Sequence, residues 1–168
     1  MTKAAVAVLA RGLAIDLAPR GIIILQGWVC SVSGHAAAGV LRIEQGMNDW
    51  RATGSTFGVP FWLALKAEAL YLANRTPEAL AAIKEAEGCI ERSGERFWSA
   101  ELQRFHGVFL TALGGEETEI ETSFCAAIGI AKEQKSISLA KRAEASYAEY
   151  RRQKTTASGG RGFRLPLW

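Results

Sequence analysis

A repeat of 40 residues constrains the fold of this chain more than any other feature. When the sequence is aligned with itself at that offset, Gly27, Ala67 and Gly107 fall in one column, each inside an apolar stretch. A period between about 20 and 50 residues is typical of solenoid proteins, in which each repeat buries its apolar face only against its neighbours. The repeat therefore predicts an extended binding surface more than an enclosed reaction site.

The hydrophobic pattern predicts that the chain is all-α. Apolar residues recur at helical spacing along nearly the whole sequence, and no segment alternates with the period of two that marks a half-buried strand. We predict eight helices, with breaks at Pro19 and Gly21 and at the glycines of the later turns. Their approximate bounds are 3–17, 20–33, 36–53, 58–74, 76–93, 96–113, 117–134 and 137–153.

Within each repeat the order of small and large residues predicts a helical hairpin. In the second copy, Ala67 and Leu70 share a face of the first helix, while Ala79, Ile83 and Ala86 share a face of the second. Small residues let two helices approach closely, and larger ones fill the space between hairpins. The corresponding positions are Gly27, Cys30, Gly39, Ile43 and Gly46 in the first copy, and Gly107, Leu110, Ile120, Phe124 and Ala127 in the third, after one inserted residue near Gly114.

This order of residues resembles that of tetratricopeptide repeats, although 40 residues exceeds their usual length of about 34. The strings MNDWRATGSTFGVPFWLALKAEALYLANRTPEALAAIKEA, CIERSGERFWSAELQRFHGVFLTALGG and SLAKRAEASYAEYRRQ resemble the C-terminal helical-repeat region of bacterial adenylate/guanylate cyclase–ATPase signalling proteins. The resemblance spans roughly residues 22–153. It implies a tetratricopeptide-like α-α superhelix in bacterial signal transduction, and it carries over no catalytic residue.

Charge separates the repeats from the end of the chain. The segment from Arg151 onward contributes five basic residues and no acid, so residues 1–150 carry 15 basic and 17 acidic groups, a balance of −2. We predict a repeat domain over 1–153 and a basic, glycine-containing tail over 154–168. The tail could contact nucleic acid or an anionic membrane, or its apolar end could dock in the groove of this chain or of a neighbour. We favour docking or disorder of the tail over nucleic-acid binding, because the repeats carry no basic stripe that would continue a phosphate-binding surface.

The first predicted helix is apolar around most of its circumference, unlike the charged last helix. Solenoids normally end in helices with a polar outer face. We therefore expect either a fragment of a longer array or a homo-oligomer that forms through this helix, for example through Val8 and Leu13. Arg11 and Asp16 interrupt its apolar run, which argues against a secretory signal. No run reaches the ~20 residues of a membrane span, so we predict a cytoplasmic protein.

The sequence gives little support for catalysis. The two histidines, His35 and His106, have no Cys, Asp or Glu at ligand spacing, so no metal site is predicted. The three cysteines lack CxxC spacing and are expected to be buried thiols in a reducing compartment. The glycines of the tail lack the strand, the helix and the Lys-Ser/Thr of a phosphate loop. We expect no enzyme activity and no cofactor.

Aromatic residues provide the main functional signal. They recur once or twice per repeat, and packing between hairpins accounts for most of them. The remaining ones are candidates to line a concave groove that holds a peptide or a partner helix. The candidate partner-binding residues are the aromatic Trp62, Tyr71 and Trp98 and the basic Lys66 and Arg104.

These observations predict a non-catalytic protein–protein interaction or scaffolding module of bacterial signalling. Two alternatives stay open at this point. The chain could be a regulatory C-terminal fragment that acts only with a separate cyclase-type catalytic domain, or it could be a self-associating fragment without a present partner.

Overall fold

The computed structural model describes residues 3–156, and it describes side chains from Ala18 to Thr155. Every regular element in residues 3–156 is an α-helix, which confirms the all-α prediction. The helices are α1 (Lys3–Val32), α2 (Ala36–Ala52), α3 (Val59–Leu72), α4 (Thr76–Ser93), α5 (Ser99–Leu113), α6 (Glu117–Glu133) and α7 (Ile137–Thr156). The predicted repeat domain ends within α7, and the tail beyond Thr156 lies outside the described residues.

The prediction of a helix break at Pro19 is wrong, and seven helices replace the expected eight over residues 3–156. Helix α1 runs for 30 residues with Pro19 inside it. Proline removes one backbone hydrogen bond and clashes with the preceding turn. Here α2 packs closely on the segment that begins at Arg20, so tertiary packing supports the helix past the proline.

The chain divides into two compact units, with the boundary between Phe57 and Gly58. The first unit contains the α1–α2 hairpin. Its glycines allow an unusually close approach: a Cβ added to Gly39 would lie 2.0 Å from Ser31 Oγ and 2.4 Å from the Gly27 carbonyl oxygen. A Cβ on Gly27 would lie 2.8 Å from the backbone nitrogen of Ile43. Glycine at positions 27 and 39 is therefore a steric requirement of this crossing.

The second unit contains the hairpins α3–α4 and α5–α6 and the helix α7. Helix α5 packs against α3, α4, α6 and α7, and α7 also packs against α6. The predicted hairpin positions are buried: Ala67, Ala79 and Ile83 are fully inaccessible in α3 and α4. In the next hairpin, Gly107 faces the ring of Phe124 across the crossing of α5 and α6.

Glycines end several helices as the sequence predicts. Gly94 and Gly114 have φ values of 75° and 68°, in the left-handed region that favours glycine, and they form the C-caps of α4 and α5. Helix α4 begins at Thr76, with Pro77 in its first turn. Arg75 is the N-cap residue, and its side chain pairs with Glu78 in the first turn.

The prediction of buried cysteines is wrong for Cys125, which is exposed, while Cys30 and Cys89 are half-buried. On α6 the neighbouring Phe124 is fully buried, as are Ala127 and Ala131. Cys125 lies outside this buried set of positions and contributes its side chain to the surface. All three thiols are free.

Candidate functional site: an acidic groove and an aromatic cluster

Two of the predicted partner-binding residues meet in an aromatic cluster at the beginnings of α3 and α5. The Phe61 ring stacks on Trp98, with centroids 5.0 Å apart and an interplanar angle of 15°, and it also contacts Trp62 at 4.7 Å. Phe97 contacts Trp98 at 5.9 Å and is 53% exposed. Trp62 and Trp98 are half-buried, so the cluster combines packing between hairpins with an accessible aromatic edge.

A hydrogen bond joins the two turns that carry this cluster. The backbone N–H of Gly58, the N-cap of α3, donates to Glu95 Oε2 at 2.9 Å. Gly58 has a φ of 71°, and a Cβ there would lie 3.4 Å from Trp62 Nε1. The glycine therefore supplies both the left-handed turn and the space beside the indole.

Tyr71 and Arg104, two further predicted partner-binding residues, lie in the interior. Tyr71 is 6% exposed and stacks on Phe109 of α5 at 5.1 Å. Arg104 is 1% exposed, so its guanidinium does not reach a surface where it could hold an acidic peptide. The fifth candidate, Lys66, is half-buried on α3. The hydrogen bond from Arg75 lowers the pKa of Glu78, and the charge of Lys66 adds to this lowering.

Arg104 belongs to a buried ionic network between α5 and α7. Its Nε and Nη2 donate to the two carboxylate oxygens of Glu101 at 3.0 and 2.7 Å, and its Nη1 donates to Ser146 Oγ at 3.2 Å. Arg142 of α7 donates to the same Glu101 carboxylate at 2.7 Å. Glu101 is 3% exposed, so the network holds charges inside the second unit. Its role is therefore structural.

An open groove of about 640 Å³ lies between α4 and α6, with α5 as its floor. None of the residues predicted to bind a partner lines it. The lining side chains are Glu87, Ile90 and Glu91 from α4, Leu102, Gln103 and His106 from α5 with Ser99 at its start, and Thr118, Glu119, Thr122, Ser123 and Ile130 from α6. The lining thus combines aliphatic side chains with hydroxyls and carboxylates.

The charge of the groove is negative. Glu87 and Glu91 lie on one wall and Glu119 on the other, and the described residues that line the groove include no lysine or arginine. The Glu87 carboxylate is oriented by Gln103, whose Nε2 donates to Oε1 at 2.7 Å. Glu91 and Glu119 are exposed. Carboxylates placed on two sides of a cleft attract cationic groups of a ligand, most strongly at low ionic strength.

His106 on the groove floor and Ser123 on the α6 wall form a polar pair. The Ser123 hydroxyl lies 3.4 Å from His106 Nδ1, but it donates to the backbone carbonyl of Glu119 at 2.9 Å. Because that carbonyl takes the hydroxyl hydrogen, the pair is not arranged as a nucleophile with its base. The Nε2 atom of His106 is buried and has no protein hydrogen-bond partner.

The sequence signal for this groove was ambiguous. The acidic run at the start of α6 predicts stabilisation of the helix N-terminus, and Glu117 and Glu119 do lie in the first turn. However, Lys154 of α7 pairs with Glu117 and Glu121, while Glu119 lines the groove on the other side of α6. The acidic residues of α6 therefore lie on two different surfaces, one facing α7 and one facing the groove. The order of residues in the sequence does not distinguish the two.

Among the described residues, no group of three or more His, Cys, Asp or Glu side chains converges to hold a metal ion. The described helices also include none with the length and apolar character needed to cross a membrane.

Comparison with known proteins identifies a distant relative. The chain is 28% identical over 127 residues to an uncharacterized protein of Rhizobium meliloti (strain 1021). The match covers 76% of this chain but only 12% of the relative, so the chain spans about an eighth of that protein's length. No protein-family model matches the chain, and no solved structure matches it.

Proposed function

We propose that this chain is a non-catalytic protein–protein interaction module of bacterial signalling, and that it binds a peptide or a partner helix in the acidic groove. The observation that supports this most directly is the groove itself: an open cleft lined by aliphatic side chains and hydrogen-bonding groups, with carboxylates on both walls. Such a surface suits an extended segment that carries Lys or Arg together with aliphatic residues.

We further propose that α3 to α7 form a tetratricopeptide-like superhelix. The 40-residue columns, the hairpin pairing and the packing of α5 on both α3 and α4 support this arrangement. The groove lies beside α4 and α6, the second helices of the two hairpins, whereas the aromatic cluster lies on the first helices. Trp62 and Trp98 are therefore proposed as a separate anchor for an apolar part of the partner, with Lys66 on the same helix as Trp62.

The signalling context rests on the resemblance of the repeat strings to the helical region of cyclase–ATPase proteins. In that setting the chain regulates a separate catalytic domain by binding it or its partners in the cytoplasm. The relative from Rhizobium meliloti, in which the matched region is a small part of a long chain, is compatible with such a modular role.

Selection from a random displayed peptide library on the full chain tests the proposal. We expect enrichment of peptides that combine Lys or Arg with aliphatic residues, and we expect synthetic versions to bind with an affinity that falls as salt rises. A double substitution, Glu87→Gln with Glu91→Gln, should weaken binding at least tenfold. The control is Glu144→Gln, which removes an exposed carboxylate on α7 outside the groove.

Three results would contradict the groove assignment. These are a selection without enrichment, enrichment of acidic peptides, and binding of basic peptides that the two glutamine substitutions leave unchanged. Tryptophan fluorescence during the titration separates the two surfaces. A variant with Trp98→Phe should keep its salt-dependent affinity for basic peptides if the aromatic cluster is a distinct anchor.

A further inference from the structure

An uncharged apolar stripe lies exposed along the second half of α1. Ile22, Leu25, Val29 and Val32 are 51%, 40%, 51% and 39% exposed, and together they form the α1 stripe. Their spacing alternates between three and four residues, which is the spacing of a coiled-coil seam. Side chains this apolar, aligned on one face, favour burial against another apolar helix.

The stripe lies on the opposite side of α1 from the contact with α2. Ile24, Gly27 and Ser31 face α2 and are buried. At 100° per residue, these positions project roughly 150° away from the stripe. Packing within the hairpin therefore leaves the stripe uncovered.

The internal repeat shows what normally covers this face. Two repeats later, Ile22, Leu25 and Val29 correspond to Leu102, Phe105 and Phe109 of α5. Those three side chains are 0%, 3% and 0% exposed. Phe109 stacks on Tyr71 of α3, and Leu102 lines the groove beside α4. In α5, a preceding helical hairpin covers the face that remains bare in α1.

We propose that a second copy of this chain covers the α1 stripe, so that two α1 helices pack stripe against stripe in a closed dimer. Between Gly21 and Ser33 the sequence contains no charged residue, so the contact buries no unpaired charge. β-Branched residues at positions 22 and 29 with Leu25 between them match the preference of two-stranded seams.

Helix α7, the last described helix, is a poor cover for the stripe. The exposed side chains of α7 include Lys141, Glu144, Arg151 and Arg152. A head-to-tail contact would place these charges on the apolar stripe at a desolvation cost. A self-complementary contact avoids that cost and closes after two copies.

Sedimentation equilibrium of the full chain across a range of concentrations tests this proposal. We expect a reversible transition to twice the chain mass. The double variant Leu25→Lys with Val29→Lys should remain monomeric, or its dissociation constant should rise at least tenfold. The control is Leu41→Lys with Ile137→Lys, which changes two apolar residues that are 68% and 73% exposed but lie outside the stripe. The control variant should dimerise as the unchanged chain does.

A monomer at every concentration of the unchanged chain would overturn the proposal, whatever the variants do. A dimer that the stripe variant leaves intact would overturn it too, as would a dimer that the control weakens equally. Far-UV circular dichroism confirms that each variant is folded. If the stripe variant unfolds, Val29→Thr provides a milder perturbation, with a weaker dimer expected and an unchanged dimer as the contrary result.

Discussion

Replacing Glu101 by glutamine tests whether the network between α5 and α7 is a desolvated charge cluster. The substitution keeps the shape of the side chain and removes its charge. It leaves Arg104, which is 1% exposed, with hydrogen bonds only to neutral groups. Arg142 also loses its ionic partner in the network, but it is 33% exposed and can turn toward water.

The magnitude follows from the burial of Arg104. Removing one partner of a buried ion pair typically costs about 3–5 kcal/mol, because the remaining charge stays uncompensated. With an m-value of about 2 kcal/mol/M, this loss lowers the urea midpoint by roughly 1.5–2.5 M. A single domain is stable by about 5–15 kcal/mol, so the variant should remain folded in water but be measurably weakened.

Urea unfolding followed by far-UV circular dichroism measures this effect. Glu78→Gln is a matched control, because Arg75 and Glu78 form a bidentate pair of the same i,i+3 spacing on the surface, with side chains 41% and 56% exposed. Its midpoint should hardly move. The double variant Glu101→Leu with Arg104→Met removes both charges, and it should be much more stable than Glu101→Gln alone.

Two outcomes would refute this account of the network. One is a midpoint for Glu101→Gln that matches that of the exposed control. The other is a double variant that loses as much stability as the single one, which would show that the shape of the pair matters and its charge does not.

Three further predictions concern packing, pH and thiol reactivity. Gly39→Ala should prevent normal closure of the α1–α2 hairpin and lower the melting temperature sharply, whereas Gly129→Ala, where an added Cβ meets nothing within 4 Å, should stabilise α6 by about 0.5–1 kcal/mol. Arg152 lowers the pKa of Glu149 to about 2, from an ordinary value of 4.5. The resulting stability is present above pH 4.5 and is lost as the pH falls toward 2, so the acid-induced loss of α7 measured by NMR should be smaller in Glu149→Gln. Cys125 should react with a thiol reagent before the two half-buried cysteines do, and equal rates for all three would contradict its exposure.

The local features of the fold could be predicted from the sequence because they depend on local chemistry. Left-handed glycines fix the ends of α4 and α5, and the small residues at the hairpin positions reflect direct steric contact between helices. The continuity of α1 through Pro19 could not be predicted in this way. It depends on the packing of α2 against the segment that follows, which local propensity does not contain.

The candidate site was less predictable for a related reason. A charged residue on a helix is normally solvated, so Arg104 was a reasonable candidate for the surface. Its burial depends on Glu101 one turn earlier and on Arg142 and Ser146 from a distant helix. The groove likewise combines side chains from three helices, at positions that do not repeat along the sequence.

The repeat also explains why this chain offers two chemically different surfaces. Side chains on the face of α5 that the preceding hairpin covers are core, as for Phe109, whereas the equivalent face of α1 is an exposed apolar surface, as for Val29. Side chains that point between second helices stay hydrated and can be polar, as in the groove.

The α1 stripe and the groove share no residue, so a dimer that forms through the stripe uses none of the groove's side chains. It carries two grooves, and a ligand with two basic segments of suitable spacing would bind it with greater avidity than a single copy. Loss of dimerisation should then reduce binding to a crowded, immobilised ligand and leave the affinity for a single peptide in solution unchanged.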